Sequence, residues 1–540
     1  MLSLSPPVSP PGRDLDLERL ETVDWDLLVV GGGATGVAVA RDAALRGLEV
    51  ALVEEHDIAF GTSSRSSRLI HGGLRYLASA ELGLVREGLR ERHYLLETAP
   101  HLVRAERFAY LVYSEDPDAL WKIRLGVGLY ALLATGYRLG PNRKLSTEAL
   151  SELVPQIETD RLDGAVTYFD GATHDARLTV AVAASAREAG ATLLTRCRVG
   201  DFVRRDGRVH GAVVDDTIAE RSLEVSARVV LLCTGPWQAL HADIPPHLRT
   251  ARGSHVSLHR ERLPLDLSLV LRSPQDGRQT FALPMGEYTV LGTTDVDDDT
   301  PPAEVRPTVE DTDYLLAVAN HAFPAADLTR RDVVGAWAGL RPLLAADEKG
   351  DPDELSRRHR VVPAEPGLWV LAGGKLTAQR QMAEDCLDDI LRREDFDDHS
   401  LARCHTHELP IAPGDIDRAR DDLLRLKADA TMIDRLLSFY GGRLGRLTAH
   451  LREAPPVRLA DRVLIAATRM AAEEEGALSL DDALLRRLDP GPLDLVRSIE
   501  IAPLVAREMA EPLGWTRQQM EAQIEAFRHG ASGDLTAARG

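Results

Sequence analysis

The chain has 540 residues, with 64 Lys and Arg against 84 Asp and Glu, a formal net charge of −20, and 44% hydrophobic residues. That balance excludes a disordered tail protein, gives length for about two to four folding units, and speaks against a broad nucleic-acid footprint, because phosphate backbones select clustered Lys and Arg. Four cysteines, Cys197, Cys233, Cys386 and Cys404, are scattered and form no CxxC pair; they exclude a disulfide framework or zinc ribbon and fit a cytoplasmic location.

The opening segment, residues 1–23, lacks the basic start and apolar stretch of a secretory signal and is expected to be a flexible extension, disordered or loosely docked. From Asp26 the order is an apolar run (LLVV), a glycine cluster, an alanine-rich helical stretch to Arg46, Gly47 as a helix stop, and a second apolar run, VALVE. This predicts strand, turn, helix and strand, with the two strands parallel. Leu125 to Tyr137 is too short to span a membrane and follows Lys122 and Arg124. Core or subunit packing is the expectation for it, with a membrane-surface helix as the alternative. Asp206-Gly207 predicts a hairpin turn, and Val229 to Gly235 a buried strand. Short alternating segments from Thr250 to Thr294 predict an antiparallel sheet in a separate layer. Residues 369–390 return to strand, Gly-Gly and helix, and beyond roughly 400 the pattern is charged and helical.

Gly31-Gly32-Gly33-Ala34-Thr35-Gly36 fits GxGxxG between a strand and a helix, with Glu54 at the end of the next strand. Gly31 makes the tight turn, Gly33 lets a pyrophosphate approach the helix N-terminus, and Gly36 permits close helix-to-strand packing. Glu54 suits a ribose diol. These features point to an ADP-containing cofactor, FAD or NAD. A serine-rich loop, Gly61 to Arg68, and a second turn, Gly373-Gly374, are the extra anchoring that FAD requires beyond its ADP half.

Ser63 to Leu77, SSRSSRLIHGGLRYL, resembles the signature of the FAD-dependent (aerobic, respiratory) glycerol-3-phosphate dehydrogenases. Cys233-Thr234-Gly235-Pro236-Trp237, Arg252 to His255, Gly292 to Asp295, Gly339 to Leu343 and Gly373 to Thr377 follow in that family's order, and the helical tail near Trp515 is similar to its C-terminal domain. Cys233 stands where alanine is common, Arg68 where lysine is usual, and Ala378-Gln379 where Thr-Tyr is common. The resemblance implies an α/β fold: a Rossmann-like FAD-binding domain, an antiparallel β substrate domain and a C-terminal all-helical cap. It divides the chain into the extension 1–23, an oxidoreductase region 24–400 and a helical domain 401–540. FAD-binding parts are expected at about 24–100, 155–250 and 335–400, and substrate-binding parts at about 101–154 and 251–334. It implies oxidation of sn-glycerol 3-phosphate to dihydroxyacetone phosphate, with electrons passed to a membrane quinone, in a homodimer that touches the membrane peripherally. Cofactor contacts are expected at Gly31, Gly33, Gly36, Glu54, Thr62, Ser63, Ser67, Gly235, Gly374 and Thr377. Substrate contacts are expected at Arg75, Tyr76, Thr294, Arg357 and Lys375, with His255 and Arg341 at the reacting carbon.

Oxidising a secondary alcohol needs a hydride acceptor, a base for the hydroxyl proton and an anchor for the phosphate. Guanidinium forks and ammonium groups suit the anchor, which assigns Arg75, Arg357 and Lys375, with Tyr76 as a neutral donor. His255 is the expected base because an unperturbed imidazole titrates near neutrality; His71 is the competing candidate. Arg341 is expected to orient the substrate and stabilise developing negative charge. An oxidase using oxygen, a relative acting on another small hydroxy or amino substrate, and a flavin-binding regulatory protein are the alternatives. No metal site is expected: Cys404 to His407 reads as a loop and Asp297-Asp298-Asp299 as a solvated turn.

Overall fold

The computed structural model describes residues 12–240, 244–344, 358–394, 396 and 401–540. Its first sheet has eight strands. Trp25–Val30 is the centre, paired in parallel with Val50–Glu54 on one side and Arg221–Leu232 on the other. Thr192–Thr195 and Leu368–Gly373 extend it in parallel, and His359–Glu365 closes one edge antiparallel. The two central strands read as nearly unbroken apolar runs because helices cover the sheet. The helix Ala34–Arg46, small-residue-rich and stopped by Gly47 in the left-handed region, packs with Asp175–Glu188 and Gln379–Arg393 in one continuous core. The hairpin Cys197–Arg205 with Arg208–Asp216 turns at Asp206 and Gly207, both with positive φ, as their side chains permit.

The second sheet has ten strands. Leu248–His259 pairs antiparallel along Val333–Leu344, and Val103–Tyr113 along Leu162–Thr173. Gln279–Met285 joins Tyr288–Gly292 and Ser268–Arg272 between them. The strands Leu162–Thr173 and Val333–Leu344 therefore belong to the second sheet. Chain order does not reveal which sheet a strand joins, so the sequence division into parts 155–250 and 335–400 carries no information on this pairing.

From Ile416 the chain is helical around its own core, the predicted helical domain. It docks through buried ion pairs: Asp57 with Arg486 and Arg487, and Arg177 with both carboxylate oxygens of Glu475 at 2.6 and 2.8 Å. Buried carboxylates and guanidiniums persist only when paired this fully.

Three expectations change. Within the extension, Arg13–Thr22 is a helix rather than a flexible segment: Leu17 and Leu20 are buried, and the Arg13 guanidinium sits 2.8 Å from Asp216. Leu120–Leu133 is a helix whose inner face packs on the core, with Val127 and Tyr130 buried and Leu120, Ile123 and Leu133 partly buried against them, while its outer face is bare. Trp121, Leu125 and Leu132 are 68, 67 and 63% exposed. Asp297 and Asp298 are not simply solvated, since they pair with Arg249 and Arg252. Among the described residues no helix is long and apolar enough to cross a membrane.

Candidate active site

A cavity of about 540 Å³ opens where the carboxyl ends of the central parallel strands meet the second sheet. This is the crevice in which open α/β sheets hold ligands. One end is built largely from backbone. Gly31 turns at φ +114°, where an added Cβ would lie 2.6 Å from the Cys233 carbonyl oxygen. Gly33 and Ala34 open the helix toward the cavity, and Ser63 Oγ accepts the Ala34 N–H at 2.9 Å. Glu54 accepts N–H bonds from Gly32 at 2.6 Å and His56 at 2.8 Å, one on each carboxylate oxygen. Each oxygen keeps a lone pair for a diol. Burial, only partly offset by those two N–H groups, pushes its carboxyl up to about 7. Gly235 and Gly374 also line the cavity with positive φ. Thr62 lies there too, its hydroxyl donating to the Leu340 carbonyl at 2.6 Å. A bare glycine turn, a helix N-terminus and a carboxylate with spare lone pairs fit the ADP half of FAD.

The other end is built from side chains. His71, Arg75 and Tyr76 come from the turn after the serine-rich loop, His255, Thr293 and Arg341 from the second sheet, and Lys375 from the Gly-Gly turn. Arg75 and Lys375 flank the Tyr76 ring, 5.3 and 4.7 Å from its centroid. Lys375 Nζ is buried without a hydrogen-bond partner in the protein, and burial pushes its ammonium down from the ordinary lysine value. A desolvated cation that faces a cavity is poised to take an anion.

The His255 ring lies flat on Trp337, 5.2 Å between centroids, with Arg68 on that indole's ring face at 5.4 Å. Its Nε2 is 2.8 Å from Ser67 Oγ. Burial first, then the positive charges of Arg341 and Arg68, hold its pKa down to about 3, far below the near-neutral value that had recommended it. Arg341 is not an isolated cation. It pairs with Asp295 at 2.9 Å and donates to Thr293 Oγ1 at 2.8 Å and the Thr294 carbonyl at 3.1 Å.

Most expected positions converge here, with four adjustments. Gly36 lies behind the cavity, where a Cβ would collide with the Gly31 carbonyl, so its task is packing. Thr294 does not line the cavity; its hydroxyl accepts the Ser254 N–H at 3.0 Å and it reaches the site through Arg341. Ser67 and Thr377 line it while serving other residues, Ser67 at His255 and Thr377 by accepting the His71 N–H at 3.1 Å. Arg357 lies outside the described residues. Thr293, Asp295 and Asp170 were missed; Asp295 had a signal, standing at the end of Gly-Thr-Thr-Asp.

The family profile described as "FAD dependent oxidoreductase" matches residues 26–378, and that described as "C-terminal domain of alpha-glycerophosphate oxidase" matches residues 404–520. The chain is 35% identical over 535 residues to a glycerol-3-phosphate dehydrogenase of Mycobacterium leprae, covering 96% of this chain and 90% of that relative. It is 31% identical to an aerobic glycerol-3-phosphate dehydrogenase of Staphylococcus haemolyticus over 94% of both chains. The solved glycerol-3-phosphate dehydrogenase from Bacillus halodurans, complexed with FAD, superposes with a TM-score of 0.80 at 28% identity over 98% of each chain.

Proposed function

The chain belongs to the FAD-dependent glycerol-3-phosphate dehydrogenase family, as an FAD-dependent oxidoreductase, and from that premise we propose that it oxidises sn-glycerol 3-phosphate to dihydroxyacetone phosphate and passes the electrons to a quinone. The observation that carries the reading is the cationic end of the cavity: Lys375 and Arg75 about one aromatic ring, with Arg341 and His255 on the adjoining sheet.

The glycine turn, Glu54 and the serine-rich loop would hold FAD, which would supply the hydride acceptor. The protein residues do the rest. Lys375, Arg75 and the Tyr76 hydroxyl bind the phosphate, and replacing the solvent around a buried ammonium by phosphate oxygens makes a charge-assisted bond. Arg341, oriented by Asp295 and Thr293, directs its guanidinium at the substrate oxygen. His255 is the proton acceptor, with Ser67 Oγ, 2.8 Å from its Nε2, fixing the ring. With its pKa held down to about 3 it is unprotonated throughout the neutral range and is a weak base. A weak base suffices when proton loss accompanies hydride loss, because the hydroxyl becomes strongly acidic as the C2–H electron pair departs. His71, whose backbone is tied to Thr377, serves as a shaping residue.

The outward face of the helix Leu120–Leu133 supports peripheral contact with a membrane leaflet. Trp121, Leu125 and Leu132 lie there beside Lys122 and Arg124, and the following segment, with Arg138, Arg143 and Lys144, folds back on it through Asn142 to the Val127 carbonyl. Apolar area rimmed by cations suits an anionic surface, even on a chain of net charge −20.

The test is anaerobic addition of glycerol 3-phosphate to the yellow protein. Bleaching, followed by recovery on adding a short-chain quinone, is the expected result. Stoichiometric peroxide in air, with no quinone reaction, would convert the reading to an oxidase. Sedimentation with anionic vesicles checks the membrane face, and a dimer without vesicle binding would make that face a subunit contact.

A further inference from the structure

We propose that Tyr130 and Asp170 are positioning residues for the substrate-binding turn His71–Tyr76, holding its backbone through a one-way chain from the Gly72 N–H to the Tyr130 hydroxyl to the Asp170 carboxylate. This rests on the assignment of Arg75, Tyr76 and Lys375 to the phosphate.

The Gly72 N–H donates to Tyr130 Oη at 2.9 Å, and that hydroxyl stands 2.9 and 2.8 Å from the two oxygens of Asp170. Having accepted from a backbone N–H, the hydroxyl directs its own proton at the carboxylate, so the polarity is fixed. Asp170 Oδ1 takes Arg92 at 2.7 Å and a longer contact from Gly72 N at 3.4 Å. Arg92 is itself held by the carbonyls of Phe169 and Tyr137. Tyr130, Asp170 and Arg92 are all buried. Burial raises the Asp170 carboxyl, while Arg92, Tyr130 and the Gly72 N–H oppose the rise.

The grip falls at a point of leverage. The preceding amide, His71 N, is taken by Thr377 Oγ1, so two successive N–H groups are fixed from separate parts of the fold. A Cβ at Gly72 would lie 2.6 Å from Tyr130 Oη and 2.7 Å from Leu89 Cγ, so the backbone passes against the tyrosine with no room to spare. Gly73 then turns at φ +81° into the short helix Leu74–Leu77, which carries Arg75 and Tyr76. Moving Gly72 therefore moves both side chains, Arg75 and Tyr76, assigned to the phosphate. Asp170 also lines the cavity, and its negative charge favours the Lys375 ammonium that burial and Arg75 disfavour. A carboxylate that only tied a helix to a sheet would have neither connection.

The experiment uses FAD-loaded Tyr130→Phe and Asp170→Asn proteins, measuring KM and kcat for glycerol 3-phosphate, flavin absorbance and Tm. Tyr130→Phe should raise KM about three- to tenfold, and Asp170→Asn about ten- to hundredfold, with kcat within about twofold and the flavin spectrum unchanged. A lowered Tm with unaltered KM, or loss of FAD with kcat and KM changing together, would overturn the positioning role. If Asp170→Asn does not fold, Tyr130→Phe decides alone. Wild-type protein that glycerol 3-phosphate fails to reduce would instead sink the substrate assignment, a separable outcome.

Discussion

The two ends of the cavity are made differently. The cofactor end is backbone: glycine turns, the first N–H groups of a helix, and one carboxylate whose oxygens are already bonded to N–H groups. The other end is charge: Arg75, Lys375 and Arg341, brought from three distant segments, with Arg341 paired to Asp295 and Asp170 among the groups lining the cavity. A backbone site needs space, and it fails when space is filled. A charged site needs counter-charges, and it fails by degrees as they are removed.

Substitutions test that contrast. Gly31→Ala should do the greatest damage, because its Cβ meets a carbonyl oxygen and its φ is left-handed. The protein should purify colourless; a yellow product with normal affinity for FAD would refute the steric account. At the charged end, His255→Asn should lower kcat by about 10² to 10⁴ with FAD retained. Because its pKa is held down to about 3, the wild-type rate should show no limb from His255 between pH 5 and 8. The same group acts on stability. The unfolded chain binds a proton near pH 6.5 that the folded chain refuses, so wild-type stability should fall as pH drops from about 6.5 toward 3, and His255→Asn should flatten that slope. A rate limb near pH 6.5 that vanishes in the variant would show the imidazole to be far less depressed than its surroundings dictate.

Arg341→Ala should cost about 10² to 10³ in flavin reduction while leaving the absorbance intact. Equal reduction rates in variant and wild type would remove the electrostatic role. The smallest effect belongs to Glu54→Gln: one acceptor oxygen remains, but the amide NH2 leaves either the Gly32 or the His56 N–H without its acceptor, so FAD affinity should fall by about tenfold, read by fluorescence titration. A complete loss would mean that charge, not hydrogen bonding, anchors that end.

The contrast also explains what could be read from sequence. Gly47 and the Asp206-Gly207 turn were legible because each depends on neighbours a few residues away, and the glycine loop with Glu54 because strand, turn, helix and strand follow one another in a fixed spacing. Arg75, His255, Arg341 and Lys375 were found through the motif resemblance. Asp170 and Tyr130 were not, because an isolated acid on one strand and a tyrosine inside an apolar helix carry no local mark of meeting at Gly72. How far the His255 pKa falls was not legible for the same reason: full burial adds to the charges of Arg341 and Arg68, and all come from other segments. That the opening segment packs as the helix Arg13–Thr22, more firmly than the loose docking expected, was not legible because its buried positions, Leu17 and Leu20, sit in a strongly charged segment after a proline-rich start. For Leu120–Leu133 the sequence left packing and a membrane-surface helix both open, because an apolar run reads alike whether it is buried or exposed.

The central claim, that the cationic end selects a phosphate, is tested most directly by comparing anaerobic flavin reduction with glycerol 3-phosphate and with glycerol, in wild-type and Lys375→Met proteins. The account predicts that the ratio of the two second-order rate constants is large in the wild type and falls about ten- to hundredfold in the variant, chiefly through weaker binding of the phosphorylated substrate. A ratio near one, or one that Lys375→Met leaves unchanged, would contradict it.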